Sequence, residues 1–378
     1  VSEALLDPAA SGLLPDAESL NGPPGVVLAI ADGEHLSLAA AGVEDVDSGV
    51  FVTTAHTQDI ASVSKVLTTL AVLELIRRGG LTLDASLGRV LGMRSGRYSD
   101  ATVEDLLRHR AGLRQWWPLY LESTAADDPI GTALALSPCA PRDVERCYSD
   151  LGMMVLGEVI ERISGTPFVA AVTELVLAPV GAVTVTPGHP AEHLPALSGP
   201  EGDAIEREMV RSGEPYPVGL NGAEFAWRTT RVIRDTADGN AFHAFGGTAG
   251  HAGWFSDVSG LLRLASALTK TGMTGVDSAT RRAMWTTRDS GQGLGVRRYS
   301  IMWRGKRRDL LGHPGFTGAF VGASPAVAGE PELRMALLAN RLHGAPPPSR
   351  HRLVAVDALW RRALSAADSI LNPITSGN

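Results

Sequence analysis

The 378-residue chain is short of several things, and each shortage removes a class of protein. It has two cysteines, Cys139 and Cys147, too few for a disulfide scaffold and without metal-ligand spacing. A single bridge between them is open; two buried thiols are the expectation. No apolar run reaches 18 residues, so no membrane span is predicted. Basic residues are outnumbered, 34 against 41 acidic, for a net charge of −7, and they are scattered apart from RGKRR at 304–308. That balance argues against nucleic acid or an anionic membrane as the main partner. His-Glu-x-x-His is missing, and His243 and His251 lack a third ligand nearby, so no metal or cofactor is expected. Gly-x-Ser-x-Gly, the nucleophile turn of α/β-hydrolases, is missing too. The chain begins at Val1 with no recognisable leader, which leaves its compartment open.

The elements that are present follow hydrophobic period and turn chemistry. VVLAIA (26–31) and HLSLAAAG (35–42) flank a short turn and predict a hairpin. A helix over 64–78 should stop at Gly79-Gly80. Thr102-Val-Glu-Asp105 predicts a capping box, and further helices are expected over 151–163, 166–181, 257–272 and 350–365. Strands are expected near 294–304, 317–324 and 333–340. Residues 183–235 are rich in Pro, Gly and charge and read as a long covering loop. Strands at both ends with helices between them imply one sheet built from the two ends of the chain.

Lysine is scarcer still: three, against 31 arginines. One of the three, Lys65, opens the nearly all-apolar helix in DIASVSKVLTTLAVLELIRRGG (59–80), three residues after Ser62. Positions i and i+3 share a helix face, so the two can touch. A serine at a helix N-terminus has free N–H groups beside it that can hold an oxyanion. Burial would depress a lysine and make it a proton acceptor, a role closed to arginine. On its own, the pair also fits a snorkelling lysine beside an ordinary cap.

With its surroundings, the pair resembles the serine β-lactamase and penicillin-binding-protein superfamily, in particular its class C-like branch of esterases, D-aminopeptidases and transacylases. The signatures there are Ser-x-x-Lys, Tyr-x-Asn, and Lys-Thr-Gly or His-x-Gly. Tyr-Ser-Asp occurs twice, at 98–100 and 148–150. LLRHRAGL (106–113) matches the family's segment between the first two signatures, and CYSDLGMMVLGEVIERISG (147–165) its tyrosine and following helix. Tyr148 is therefore preferred, and Tyr98 reads as a surface turn. Lys270-Thr271-Gly272 spells the third signature but ends an apolar helix; His313-Pro314-Gly315, leading into a strand, fits better. GGTAGHAGWFSDVSGLLRLASAL (246–268) and LLANRLH (337–343) extend the likeness over about residues 24–365, with His251 read as structural.

The resemblance implies an α+β fold of the β-lactamase/DD-peptidase type. An antiparallel sheet flanked by helices (about 1–85 and 290–378) would meet an all-helical lobe (about 86–289), with the active site between them in a single catalytic domain. It implies an acyl-enzyme on Ser62, proton exchange through Lys65 and Tyr148, and an oxyanion hole from the N–H groups of Ser62 and Phe316. Asp150, His313, Gly315, Trp116 and Trp117 would contact substrate. Asp150 stands where Asn is usual and would favour the charged form of Lys65, biasing the base role toward Tyr148. His313 in place of lysine would supply only a pH-dependent charge, which suits an ester or neutral amide better than a carboxylate. The expected activity is hydrolysis of a small ester or amide. Transfer of the acyl group to an amine or alcohol is the alternative, and a β-lactamase, DD-carboxypeptidase or penicillin sensor ranks below both.

Overall fold

In β2 (Gly25–Asp32) every residue is buried, because both faces of the strand are covered. Val26, Leu28 and Ile30 pack on one side, and Val27, Ala29 and Ala31 on the other. The computed structural model describes residues 2–3, 5–15, 22–269, 278–288, 291–327, 329–343 and 353–373. In chain order the remaining strands are β1 (Ser2–Glu3), β3 (His35–Gly42), β4 (Gln58–Asp59), β5 (Thr186–Pro187), β6 (Trp254–Ser256), β7 (Arg297–Trp303), β8 (Lys306–Pro314), β9 (Phe320–Ser324) and β10 (Leu333–Ala339).

The main sheet runs β1-β3-β2-β10-β9-β8-β7, and only the β1–β3 pairing is parallel. It draws on both ends of the chain, as an α+β fold of this kind requires. β2 pairs with β10 in the register Leu28↔Leu337, which joins residues some 300 positions apart in sequence. The outer face packs on helices Asp7–Ser11 and Val356–Leu371, with Phe320 and Trp360 stacked at 4.4 Å. The inner face packs on helix Val258–Thr269 and the rest of the helical lobe. A small sheet, β4-β6-β5, lies beside the start of helix Ser64–Arg77.

Ser64–Arg77 is buried from Ser64 to Leu75, which explains its lack of a polar face: it is surrounded on all sides, with helix Asp150–Ser164 among its neighbours. The Thr102–Asp105 capping box is present in both directions. Among the described residues no single helix is long and apolar enough to cross a membrane.

Three expectations need correction. Residues 306–314 form a strand, between the strands expected near 294–304 and 317–324, where none was expected. Arg304 and Gly305 both take positive φ, 54° and 69°, giving a two-residue hairpin turn from which β8 returns. Arg308 then turns inward and is held by Ser324 Oγ and the carbonyls of Pro325 and Pro331. Residues 183–235 are not structureless, since they contain β5 and helix Ala204–Ser212. Arg231 ties this stretch down, 2.7 Å from both Asp45 and Asp47 and 2.6 Å from Glu201. The C-terminal helix begins at Val356 and runs to Leu371. Lys270-Thr271-Gly272 and residues 350–352 lie outside the described residues.

Candidate active site

The chain leaves β4 through a turn that a non-glycine residue rarely adopts: Ala61 has φ 44°. Asp59 holds it there, accepting from the Ala61 N–H at 2.8 Å through one carboxylate oxygen. The other oxygen accepts from the Ala237 N–H at 2.7 Å and Thr236 Oγ1 at 3.3 Å. Burial pushes the Asp59 carboxyl up to about 6. Ser62 follows in a single 3-10 turn, Ala61–Val63, that runs into the Ser64–Arg77 helix. Its N–H therefore lies in the first turn, where helical geometry leaves donors unused.

Lys65 is fully buried and donates to Ser62 Oγ at 2.7 Å and to the His251 carbonyl at 3.2 Å. Its Nζ also lies 2.8 Å from Asp150 Oδ1. Burial alone would depress this amine, but the neighbouring Asp150, with Tyr148 beside it, outweighs burial and holds Lys65 above its ordinary value. The expectation of a lysine depressed by burial is thus reversed, because Asp150 accompanies it into the interior. The ring of His251 is held by Asp238 at 2.9 Å, which fixes the carbonyl that Lys65 uses.

The Tyr148 ring lies 5.2 Å from Lys65 Nζ and 4.6 Å from the ring of His109. His109, in LLRHRAGL, has φ 57°, and its Nδ1 accepts from the Ser149 N–H at 3.1 Å. Burial, with the positive charge of Arg146 and Lys65 nearby, pushes it well below the usual histidine range. A neutral His109 thus orients the turn that carries Tyr148.

Cys139 and Cys147 are joined in a disulfide, so the expectation of two buried thiols is wrong. They meet because both are pinned to the same loop. The Cys139 N–H donates to Gly112 O and the Cys147 N–H to His109 O, each at 2.9 Å, and Cys139 itself is exposed. Tyr98, expected on the surface, is buried and donates to the Leu136 carbonyl at 3.0 Å.

On the sheet side, Gln58, just ahead of the Ala61–Val63 turn, bolts the loop after β8 and the end of β10 to it. Its side chain donates to Thr317 O at 3.2 Å and to Ala339 O at 2.9 Å. Thr317 Oγ1 donates to Asp59 O at 2.7 Å. His313, at the end of β8, is 1% exposed, and its Nδ1–H donates to Pro314 O at 2.8 Å. Burial, reinforced by Lys65, lowers it to about 3, so it supplies no positive charge near neutral pH. Gly315 borders a cavity that opens on Ser62. A Cβ there would sit 2.3 Å from Ile60 O, so the glycine also makes room for the Ala61–Val63 turn.

Two cavities open on Ser62, and Tyr148 and Phe316 border both. The first, about 190 Å³, has apolar walls from Trp116, Ile205, Met209 and Tyr216, with Glu206 and Asp238 at its polar end. Trp116 lies 6.3 Å from Tyr216. Trp117 borders neither cavity; it is part of the core, with Nε1 donating to Glu122 at 3.0 Å. Glu206 accepts from Tyr120 at 2.6 Å and from the Gly239 N–H at 2.8 Å, and burial with Asp238 nearby pushes it up to about 8. Glu206, Arg297 and Arg341 were invisible in the sequence: the first lies in the aperiodic 183–235 stretch, the others among 31 arginines. His243 pairs with Asp203 at 3.0 Å, and no group of three or more possible metal ligands occurs among the described residues.

The Beta-lactamase family profile matches residues 17–359. Esterase EstB of Burkholderia gladioli is 32% identical over 177 residues, which take in 41% of this chain and 45% of EstB, less than half its length. Among solved structures, the D-amino acid amidase from Ochrobactrum anthropi SV3 complexed with D-phenylalanine has a TM-score of 0.68 at 21% identity, covering 96% of this chain and 98% of the amidase. EstCE1, a hydrolase with promiscuous acyltransferase activity, has a TM-score of 0.64 at 19% identity over 96% of this chain and 98% of its own. At such identities these structures speak for the fold alone.

Proposed function

The chain belongs to the beta-lactamase family, and on that premise we propose that it is a serine hydrolase acting on a small ester or amide through an acyl-enzyme at Ser62. The observation that carries this reading is the run Ser62 Oγ–Lys65 Nζ–Asp150, with steps of 2.7 and 2.8 Å, placed beside Tyr148 where two cavities meet.

Ser62 Oγ attacks the carbonyl carbon, and the oxyanion that forms is held by the N–H groups of Ser62 and Phe316. Lys65, kept as an ammonium by Asp150, is a charge stabiliser rather than a resting base. Tyr148 takes the Ser62 proton and returns it to the leaving group, with Lys65 favouring negative charge on its oxygen. Water then attacks the acyl carbon by the same route in reverse.

Transfer to an alcohol or amine is the second reading, favoured by the two cavities on one nucleophile: one can keep the acyl chain while an acceptor enters by the other. The test is intact mass over time with activated esters, thioesters, D-amino-acid amides and a β-lactam. A transient adduct absent in Ser62→Ala and lost in water alone is expected. Decay only with an added amine or alcohol selects transfer, and turnover without an adduct on Ser62 overturns both.

A further inference from the structure

Asp59, in β4, is buried, and three pieces of the site meet on it. One carboxylate oxygen accepts from the Ala61 N–H at the start of the nucleophile turn. The other accepts from the Thr236 hydroxyl and the Ala237 N–H, 177 and 178 positions away. The Asp59 backbone carbonyl accepts from Thr317 Oγ1, next to Phe316 and 258 positions away. Ala61, Ala237, Asp238, Phe316 and Thr317 all border the first cavity. Asp59 itself does not reach it, and acts from behind the wall that they form.

The groups bonded to this carboxylate are two N–H groups and a hydroxyl, all uncharged. From the 236–238 segment the charged group that faces it is Asp238, which raises it further. His251 lies beyond Asp238 at 2.9 Å, Arg228 donates to the Thr236 carbonyl at 2.8 Å, and Lys65 follows on the helix after the turn. On β6, paired with β4, the residue opposite Asp59 is Phe255. Burying a charge without an opposite charge bonded to it costs free energy, so packing alone would be better served by an uncharged side chain. What the charge does is hold a strained backbone. Ala61 keeps φ 44° with a Cβ present, and the turn has no side-chain cap at Ile60. N–H donors bond an ionised acceptor more strongly than a neutral one.

We propose that Asp59 is a positioning residue for the reaction: its ionised carboxylate locks the Ala61–Val63 turn, and with it Ser62 Oγ and the Ser62 N–H, to the 236–238 wall of the first cavity. The serine and the wall that faces the acyl group are thereby set against each other by one side chain, while Thr317 ties the Phe316 loop to the same residue. The clamp is pH-sensitive. Protonation places a hydrogen on an oxygen that already accepts, which weakens the hold on Ala61 or Ala237. With the carboxyl at about 6, the clamp is complete at neutral pH and loosens as pH falls through 6. An ordinary aspartate would release it only about two pH units lower. The catalytic meaning of the clamp rests on the acyl-enzyme reading, but the clamp itself does not.

The experiment has two parts. The first measures kcat and KM for phenyl acetate from about pH 5 to pH 8 in wild type, Asp59→Asn, Thr236→Val and an exposed control, Asp84→Asn. Wild-type kcat should rise with pH through one ionisation at about 6. Asp59→Asn should lower kcat about ten- to hundredfold, leave KM within about twofold and lose that ionisation. Thr236→Val removes one bond to the charged form, so it should move the ionisation to higher pH, and it keeps the test alive if Asp59→Asn does not fold. The control should match wild type. A flat wild-type kcat between pH 5 and pH 7, or an ionisation that stays in place in both Asp59→Asn and Thr236→Val, overturns the proposal. The second part follows amide hydrogen exchange by mass spectrometry in wild type and Asp59→Asn. Exchange should quicken in peptides spanning 57–66 and 233–240 together and stay unchanged in β2 and β3; no change in either peptide also overturns the clamp. Joint quickening in a protein that hydrolyses no ester upholds the clamp and sinks the acyl-enzyme reading instead.

Discussion

The two cavities that flank Ser62 share that serine, Tyr148 and Phe316, and little else. One is walled by Trp116, Ile205, Met209 and Tyr216 and ends at Glu206 and Asp238; the other is bordered by three arginines. The shared residues set how fast the reaction goes, and the private ones set what reacts.

The largest effect should come from the shared residues. Lys65→Met and Tyr148→Phe should each lower kcat by about 10²–10⁴ for every ester, charged or neutral. Lys65→Arg should not restore activity, since the bulkier fork cannot take the place of a buried ammonium 2.7 Å from Ser62 Oγ. Steady-state rates on phenyl acetate and 3-acetoxybenzoate read this out, and a loss confined to one substrate would break the division between shared and private roles.

A smaller, one-sided effect is expected at Trp116. Trp116→Ala should raise KM for long or aromatic acyl chains by about tenfold. The same change at Trp117 should lower stability rather than alter selectivity, because that ring is in the core. Paired kinetics and thermal unfolding separate the two.

The smallest effect concerns pH. Asp59 and Glu206 are both raised in the folded state, to about 6 and about 8, mainly by burial. The folded protein therefore binds these protons more tightly than the unfolded chain does. Their contribution is complete below the ordinary carboxyl range and is lost as pH climbs through 6 and then 8. Below pH 7 the depressed His109 and His313 act in the opposite direction, so the clean window is pH 7 to 9, where the unfolding temperature should fall and Glu206→Gln should flatten that fall. A curve that rises over this range would contradict the assignment.

Much of this was legible in the sequence because it is local. The hairpin of β2 and β3, the helix after Ser62 and the Thr102 capping box depend on residues a few positions apart. Ser62 and Lys65 are one helical turn apart, so their 2.7 Å contact is written into their spacing. Tyr148 was preferred over Tyr98 by the segments around each, and the structure brings Tyr148 to Ser62 while Tyr98 bonds the Leu136 carbonyl elsewhere. β8 was hidden because it opens with Lys306, Arg307 and a buried Arg308, after a hairpin turn that only backbone angles reveal. The disulfide was hidden because it depends on a third segment, the 109–112 loop, which pins both cysteines.

By itself, then, the sequence determined most of the order of elements and the Ser62–Lys65 spacing, which rest on period, turn chemistry and short separations, while its resemblance to a known family implied the fold type. The tertiary structure decided charge and access. Only the folded chain buries Lys65 against Asp150 and keeps it cationic, strips His313 of its proton, puts Trp116 in a cavity wall and Trp117 in the core, and brings three arginines from distant segments to one side of Ser62. Protonation and recognition depend on which groups share a buried space, and residues like Arg146 and Arg341 come to share one only once the sheet has closed.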